Sequence, residues 1–277
     1  MKNILIPTDF SENSWNAIEY ALHFFSTSSC NFYLLHVNTK DAVVNDGDTY
    51  DKYIGTETIT KPSKKLLHET LKRIHDNFPK NPNHKFFTIS DSNYITDSIR
   101  EQVIQNRINL IVMGTKGATG LKKIAIGTNA GNVITKVKCT TMVVPENAKY
   151  VVPKEIAFLT DFSIFYRPET LQPILDIIEA NKAMVNVLHI NKYDLALNED
   201  QKKNKEYLED YFTNYKHSFC FLTNKHIENA VQQFVDDKGI NLITMLAKNL
   251  NYFQQILFHP AVNEISYYKE VPFLVLH

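Results

Sequence analysis

The chain has 277 residues, 44% of them hydrophobic, and its 30 basic side chains are balanced by 30 acidic ones. That balance argues against a nucleic-acid binder working through a broad basic surface, and no segment approaches the run of about eighteen apolar residues that a membrane-spanning helix needs. Three scattered cysteines, and a first residue that leads directly into a strand-like segment, fit a cytoplasmic protein with reduced thiols rather than a secreted, disulfide-stapled one.

In chain order, Lys2-Asn-Ile-Leu-Ile-Pro-Thr-Asp9 is a short apolar run ending in a turn. Ser11 precedes a helix whose apolar stripe is Trp15, Ile18, Leu22 and Phe25. Asn31 to Val37 is the second strand, and a polar insert from Asn38 to Thr60 leads to a helix with Leu67, Leu71, Ile74 and Phe78 on one face. Lys85 to Ile89 is the third strand, Ile95, Ile99 and Val103 line the third helix, and Ile108 to Met113 is the fourth strand. Ala130, Val133, Ile134 and Val137 return to helical spacing before a last strand, Thr141 to Val144. Strands alternating with helices predict an α/β fold with a parallel sheet covered on both faces.

Five of the eight glycines fall between Gly114 and Gly131, at the junction between the fourth strand and the following helix. Glycine clusters where a backbone turns tightly or lets a ligand reach its N–H groups. A helix N-terminus adds unpaired donors and a partial positive charge, so the junction predicts an anion ligand, most simply a nucleotide phosphate. Thr128 stands at the helix start, where a cap residue is expected. Two other phosphate motifs are absent: no stretch supplies Gly-x4-Gly-Lys-Ser/Thr, and the first strand runs into Pro7-Thr8-Asp9 without any glycine. What stands instead is Gly114-x2-Gly117-x9-Gly127-Thr128. His68, Glu69 and His75 lack the four-residue histidine spacing of a metal-binding helix, and His36 and His189 read as packing or hydrogen-bonding residues at the second strand of each half.

The sequence repeats itself. Ile4-Leu-Ile-Pro-Thr-Asp-Phe-Ser11 reappears as Ile156-Ala-Phe-Leu-Thr-Asp-Phe-Ser163, and Leu35-His-Val-Asn38 as Leu188-His-Ile-Asn191. Ile108 to Met113 matches Ile240 to Met245, and from there the halves align without a gap. Two homologous domains are predicted, 1–146 and 154–277, joined by a linker from Glu146 to Lys154. In the second half Gly114 becomes Leu246, Gly117 becomes Asn249, Gly127 becomes His259 and Thr128 becomes Pro260. Pro260 has no N–H to donate, and Leu246 and His259 bring side chains where backbone should approach a ligand. Only the first half is therefore expected to bind a nucleotide.

The glycine spacing, with the strand ends Pro7-Thr-Asp9, Leu34-Leu-His-Val37 and Thr141-Met-Val-Val-Pro145 in order, resembles the universal stress protein family. The resemblance implies two repeated doubly wound domains, each a five-stranded parallel sheet of order 3-2-1-4-5. It implies ATP or AMP as ligand, with Pro7, Thr8, Asp9 and Val37 beside the nucleoside, and Met113, Gly114, Gly117, Gly127, Thr128 and Asn129 around ribose and phosphates. Magnesium would be held mainly by phosphates and water. The resemblance also implies pairing through the last strands, Thr141 to Val144 and Phe273 to Leu276, giving an intrachain pseudo-dimer with room for a further homodimer.

The leading expectation is a nucleotide-dependent stress-response regulator acting on an unidentified protein partner. Two alternatives stay open: a slow ATP hydrolase or self-phosphorylating protein using Thr115, Thr119 or Thr128, and a scaffold that binds no nucleotide. No arginine stands close to the loop to stabilise a moving phosphoryl group, so efficient catalysis is not expected.

Overall fold

The computed structural model describes residues 1–38, 56–115, 128–191, 193, 195–248 and 270–277. The first half carries β1 (Lys2–Pro7), α1 (Glu12–Phe24), β2 (Cys30–Val37), α2 (Thr56–Asn77), β3 (His84–Asp91), α3 (Ile95–Gln105), β4 (Leu110–Gly114), α4 (Thr128–Lys136) and β5 (Thr141–Val144). The second carries β6 (Glu155–Leu159), α5 (Pro168–Asn181), β7 (Met184–Asn191), α6 (Glu199–Phe212), β8 (His217–Thr223), α7 (Ile227–Lys238), β9 (Leu242–Leu246) and β10 (Phe273–Leu276). The predicted elements are present with shifted ends. α2 starts inside the stretch read as insert, and Gly114 closes β4 instead of opening the loop.

The ten strands among the described residues form one sheet, in the order β3-β2-β1-β4-β5-β10-β9-β6-β7-β8. Within each half the order is the expected 3-2-1-4-5, and every pair is parallel. The halves meet where β5 and β10 pair antiparallel, Phe273 opposite Val143 and Val275 opposite Thr141. The two apolar edge strands thus cover each other, which removes an exposed template for aggregation.

Successive strand residues point to opposite faces, and the apolar residues follow that period. Ile4 and Ile6 pack with Trp15, Ile18, Leu67, Ile174 and Phe212 beneath α1, α2, α5 and α6. Leu5 packs on the other face with Ile99, Val133, Ile134, Val231 and Phe234 from α3, α4 and α7. Each such side chain contributes about 1.5–3 kcal/mol on burial. Both apolar layers run across the joint, since Val144 and Leu274 lie in one and Val143 and Phe273 in the other.

α1 starts where Ser11 accepts a hydrogen bond from Ser14 N, with Glu12 in the first turn to complement the helix dipole. Its far side holds the segment read as a linker. Asn16 Nδ2 donates to the carbonyls of Pro145 (2.9 Å) and Ala148 (3.1 Å), while Tyr150 packs against Tyr20, His23 and Phe24. The connection is therefore strapped to α1.

Lys2 Nζ reaches Asp176 Oδ2 at 2.8 Å and ties the two halves across α5. Burial opposes ionisation of Asp176, but hydrogen bonds from Gln172 and Lys2 and the Lys2 charge outweigh it and hold the carboxyl below its usual range. A lowered folded-state value means that this link is present above about pH 4 and is lost as pH falls through the lowered value. Urea titrations of the wild type and Lys2→Met should converge in that acid window and differ only slightly at neutral pH, the pair being partly exposed.

Cys30 and Cys139 are buried, and burial pushes their thiols up to about 11 and about 12; Cys220 is half-buried. The thiolate is the reactive form. Iodoacetamide should label Cys220 alone in the native protein at neutral pH, and all three after denaturation, as read by mass spectrometry.

Candidate functional site

β1 is flanked by β2 on one side and β4 on the other, so the sheet reverses direction of winding between β1 and β4. Ligands of open α/β sheets bind outside the strand ends at such a point. The register pairs Ile4 with Leu110 and Leu5 with Ile111, which carries the ends of β1 and β4 out side by side. Pro7, Thr8 and Met113 are buried there, Asp9, Val37 and Gly114 are half-buried, and Thr128 and Asn129 are exposed at the start of α4. Thr128 is already the first helical residue. Gly117 and Gly127 lie outside the described residues, as do Asn249, His259 and Pro260 of the second half.

The turn after β1 is built by its own polar side chains. Thr8 Oγ1 accepts from Phe10 N at 3.1 Å and lies 3.0 Å from Ser14 Oγ. Asp9 Oδ1 accepts from Ser11 N (3.1 Å) and from Ser11 Oγ (2.6 Å). The second half repeats this turn: Thr160 Oγ1 accepts from Phe162 N, and Asp161 Oδ1 from Ser163 N and Oγ. The survival of Thr160-Asp161 beside a changed glycine loop has its physical reason here, because the pair shapes the turn. Sequence reading gave Asp9 to the nucleoside alone and missed this role; its signal was the repeated Thr-Asp-Phe-Ser itself.

Phe10 and Phe162 adopt the left-handed backbone region, φ 65° and 57°, a sparsely populated conformation for an aromatic residue. Each is held by a histidine. His36 Nδ1–H donates to Thr8 O at 2.8 Å, its Nε2 lies 3.1 Å from Asn38 Oδ1, and its ring sits 4.4 Å from that of Phe10. His189 repeats the arrangement with Thr160 O at 3.0 Å, Asn191 Oδ1 at 2.9 Å and Phe162 at 5.1 Å. The structural reading of both histidines stands. His189 is 2% exposed, so His189→Ala should cost about 2–3 kcal/mol in urea unfolding by removing a buried ring and the donor that it offers to the buried Thr160 carbonyl. His36→Ala, at a half-buried position, should cost less.

Gly114 meets a neighbour that the sequence did not reveal. A Cβ there would come within 2.9–3.0 Å of the Asn13 side-chain amide. Asn13 sits in the first turn of α1 and is buried, so this glycine lets α1 lie against the end of β4. The openness that sequence reading assigned to a ligand is shared with Asn13.

The turn after β6 is more heavily covered than the turn after β1. Tyr166 hydrogen-bonds Thr160 Oγ1 and is 1% exposed, and Phe162 is fully buried where Phe10 is half-buried. From α6, Gln201 Nε2 donates to Asp161 O (2.7 Å) and Asn204 Nδ2 to Phe162 O (2.8 Å). Leu246 is buried at the position of Gly114. Among the described residues, protein side chains thus cover the turn after β6, and buried Ile190 and Leu246 stand where the first half has half-buried Val37 and Gly114. Among the described residues no group of His, Cys, Asp and Glu could hold a metal ion, and no helix is long and apolar enough to cross a membrane.

Comparison with known proteins agrees with this geometry. The model of the universal stress protein family matches residues 1–145. The universal stress protein MJ0577 of Methanocaldococcus jannaschii is 27% identical over 154 residues, 52% of this chain and 94% of that protein. A second protein of that organism, MJ0531, is 28% identical over 151 residues, 53% of this chain and 84% of its own length. Over the whole chain, the crystal structure of a universal stress protein from Archaeoglobus fulgidus superposes with a TM-score of 0.63 at 15% identity, covering 99% of this chain and 95% of that one. That likeness shows the fold of both halves together. With its family match over half the chain, its doubly wound sheet and its glycine-bearing switch point, the chain belongs to the universal stress protein family.

Proposed function

We propose that residues 1–146 form an adenine-nucleotide-binding domain and that residues 154–277 form a second domain of the same fold that does not bind nucleotide. The observation that carries the reading is the contrast between the two switch points: half-buried Val37 and Gly114 in one half, buried Ile190 and Leu246 at the corresponding positions in the other. The first site fits the ligand, since a glycine closes β4 and the exposed first turn of α4 offers helix N–H groups and the Thr128 hydroxyl.

In this reading Pro7, Thr8, Asp9 and Val37 line the nucleoside. Met113, Gly114, Gly117, Gly127, Thr128 and Asn129 surround ribose and phosphates. ATP or AMP is the ligand, and bound magnesium supplies charge neutralisation at the phosphates. Occupancy biases a conformation or partner surface, so the protein is a regulator in a stress response rather than an efficient enzyme.

The test is calorimetric titration of Mg-ATP and of AMP into nucleotide-stripped protein, beside Gly127→Leu. One equivalent of binding that the variant loses supports a single site in the first half. Absence of heat and of any thermal shift overturns it and leaves an interaction scaffold. Two equivalents would overturn the assignment of the second half.

A further inference from the structure

At the opposite end of the sheet, where β3 begins and α1 and α2 end, the first half carries an open cavity of about 510 Å³. That volume suits a small organic ligand. Its floor is apolar: Leu22 and Ile74 are buried, and Phe78 and Phe86 are half-buried beside them. The rim carries His23, His75 and Lys80, all exposed. No acidic residue lines the cavity, and Lys80 is its one formal charge.

Two helix C-termini at one cavity would ordinarily attract a cation. Here several carbonyls around these helix ends already accept from protein donors. Phe25 O lies 3.0 Å from His84 Nε2 and also accepts from Ser28 N, Ser26 O accepts from Asn81 Nδ2 at 2.8 Å, and Arg73 O accepts from Asn77 Nδ2 at 2.8 Å. What remains on offer is donor capacity from Lys80, His23 and His75, above apolar side chains that include Phe78 and Phe86. The His23 ring is already fixed edge-on to Phe78 (5.2 Å) and stacked on Tyr150 (5.8 Å, 12° between planes), so this wall is ordered without a ligand.

We infer that this cavity is a second ligand site, separate from the switch point, for a flat aromatic acid whose ring packs on Phe78 and Phe86 and whose carboxylate faces Lys80. Aromatic stacking and burial supply the affinity, and the single cation selects the acid over its neutral analogue. Nothing in this assignment depends on the nucleotide reading, because the two sites share no residue.

The probe is 2-naphthoate, titrated calorimetrically into the full chain, with 2-naphthylmethanol as the uncharged comparator. Saturable binding of one equivalent of naphthoate is expected, unchanged by saturating AMP. Lys80→Glu, which reverses an exposed charge, should weaken naphthoate about fivefold and leave naphthylmethanol unaffected. Ser26→Trp, at an exposed rim residue, should abolish binding of both probes while the melting temperature stays near that of the wild type. Displacement by AMP, undiminished binding in Ser26→Trp, equal losses for both probes in Lys80→Glu, or no saturable binding to folded wild type would each overturn the proposal.

Discussion

Phe273→Ala is expected to destabilise the protein by about 3–5 kcal/mol, the cost of a cavity left by a fully buried aromatic ring. Phe273 lies on β10, opposite Val143 across the antiparallel joint and beside Ile243 on the parallel side. Its ring belongs to the apolar layer shared by α3, α4 and α7, so the cavity opens at the one place where the two halves share both sheet and core. Chemical denaturation followed by far-ultraviolet circular dichroism measures the effect. Because both apolar layers are continuous across the joint, a single transition shifted to lower denaturant is expected. Two separated transitions in the variant would show that the halves are independently stable and that the joint only tethers them. A loss below about 1 kcal/mol would contradict the packing described at β10.

The second large effect is expected at Gly114. Gly114→Leu places a branched side chain where even a Cβ meets the Asn13 amide at 2.9–3.0 Å, and overpacking of this kind costs about 1–3 kcal/mol. The same side chain projects at the end of β4 and, under the proposed function, removes nucleotide binding. Clash and site can be separated by a double-mutant cycle. Gly114→Ala should destabilise on its own, and Asn13→Ala in the same chain should recover part of that loss, because the two positions touch. Additive losses in urea unfolding would contradict the contact. Normal Mg-ATP titration in a folded Gly114→Leu protein would remove Gly114 from the proposed site. The second half already carries the corresponding change, since Leu246 is buried there.

Several features of this protein were decided by its sequence. Short continuous apolar runs such as Ile4-Leu-Ile6 and helical stripes such as Trp15, Ile18 and Leu22 specify strands and helices locally, so their order required no tertiary information. The repeated Thr-Asp-Phe-Ser and Leu-His segments disclosed the duplication, and loss of the glycines in the second half disclosed which copy had changed. The folded chain decided what those residues touch. Asp9 and Asp161 cap their own turns, Asn13 occupies the space above Gly114, and the connection between the halves is strapped to α1 through Pro145 and Ala148. The cavity beneath α1 and α2 was invisible for the same reason. Its walls come from residues 22–26 and 74–86, brought together only when both helices dock on the sheet. Periodicity records which face of an element is apolar; which neighbour covers that face, and where two neighbours leave a gap, depends on contacts between residues distant in the chain.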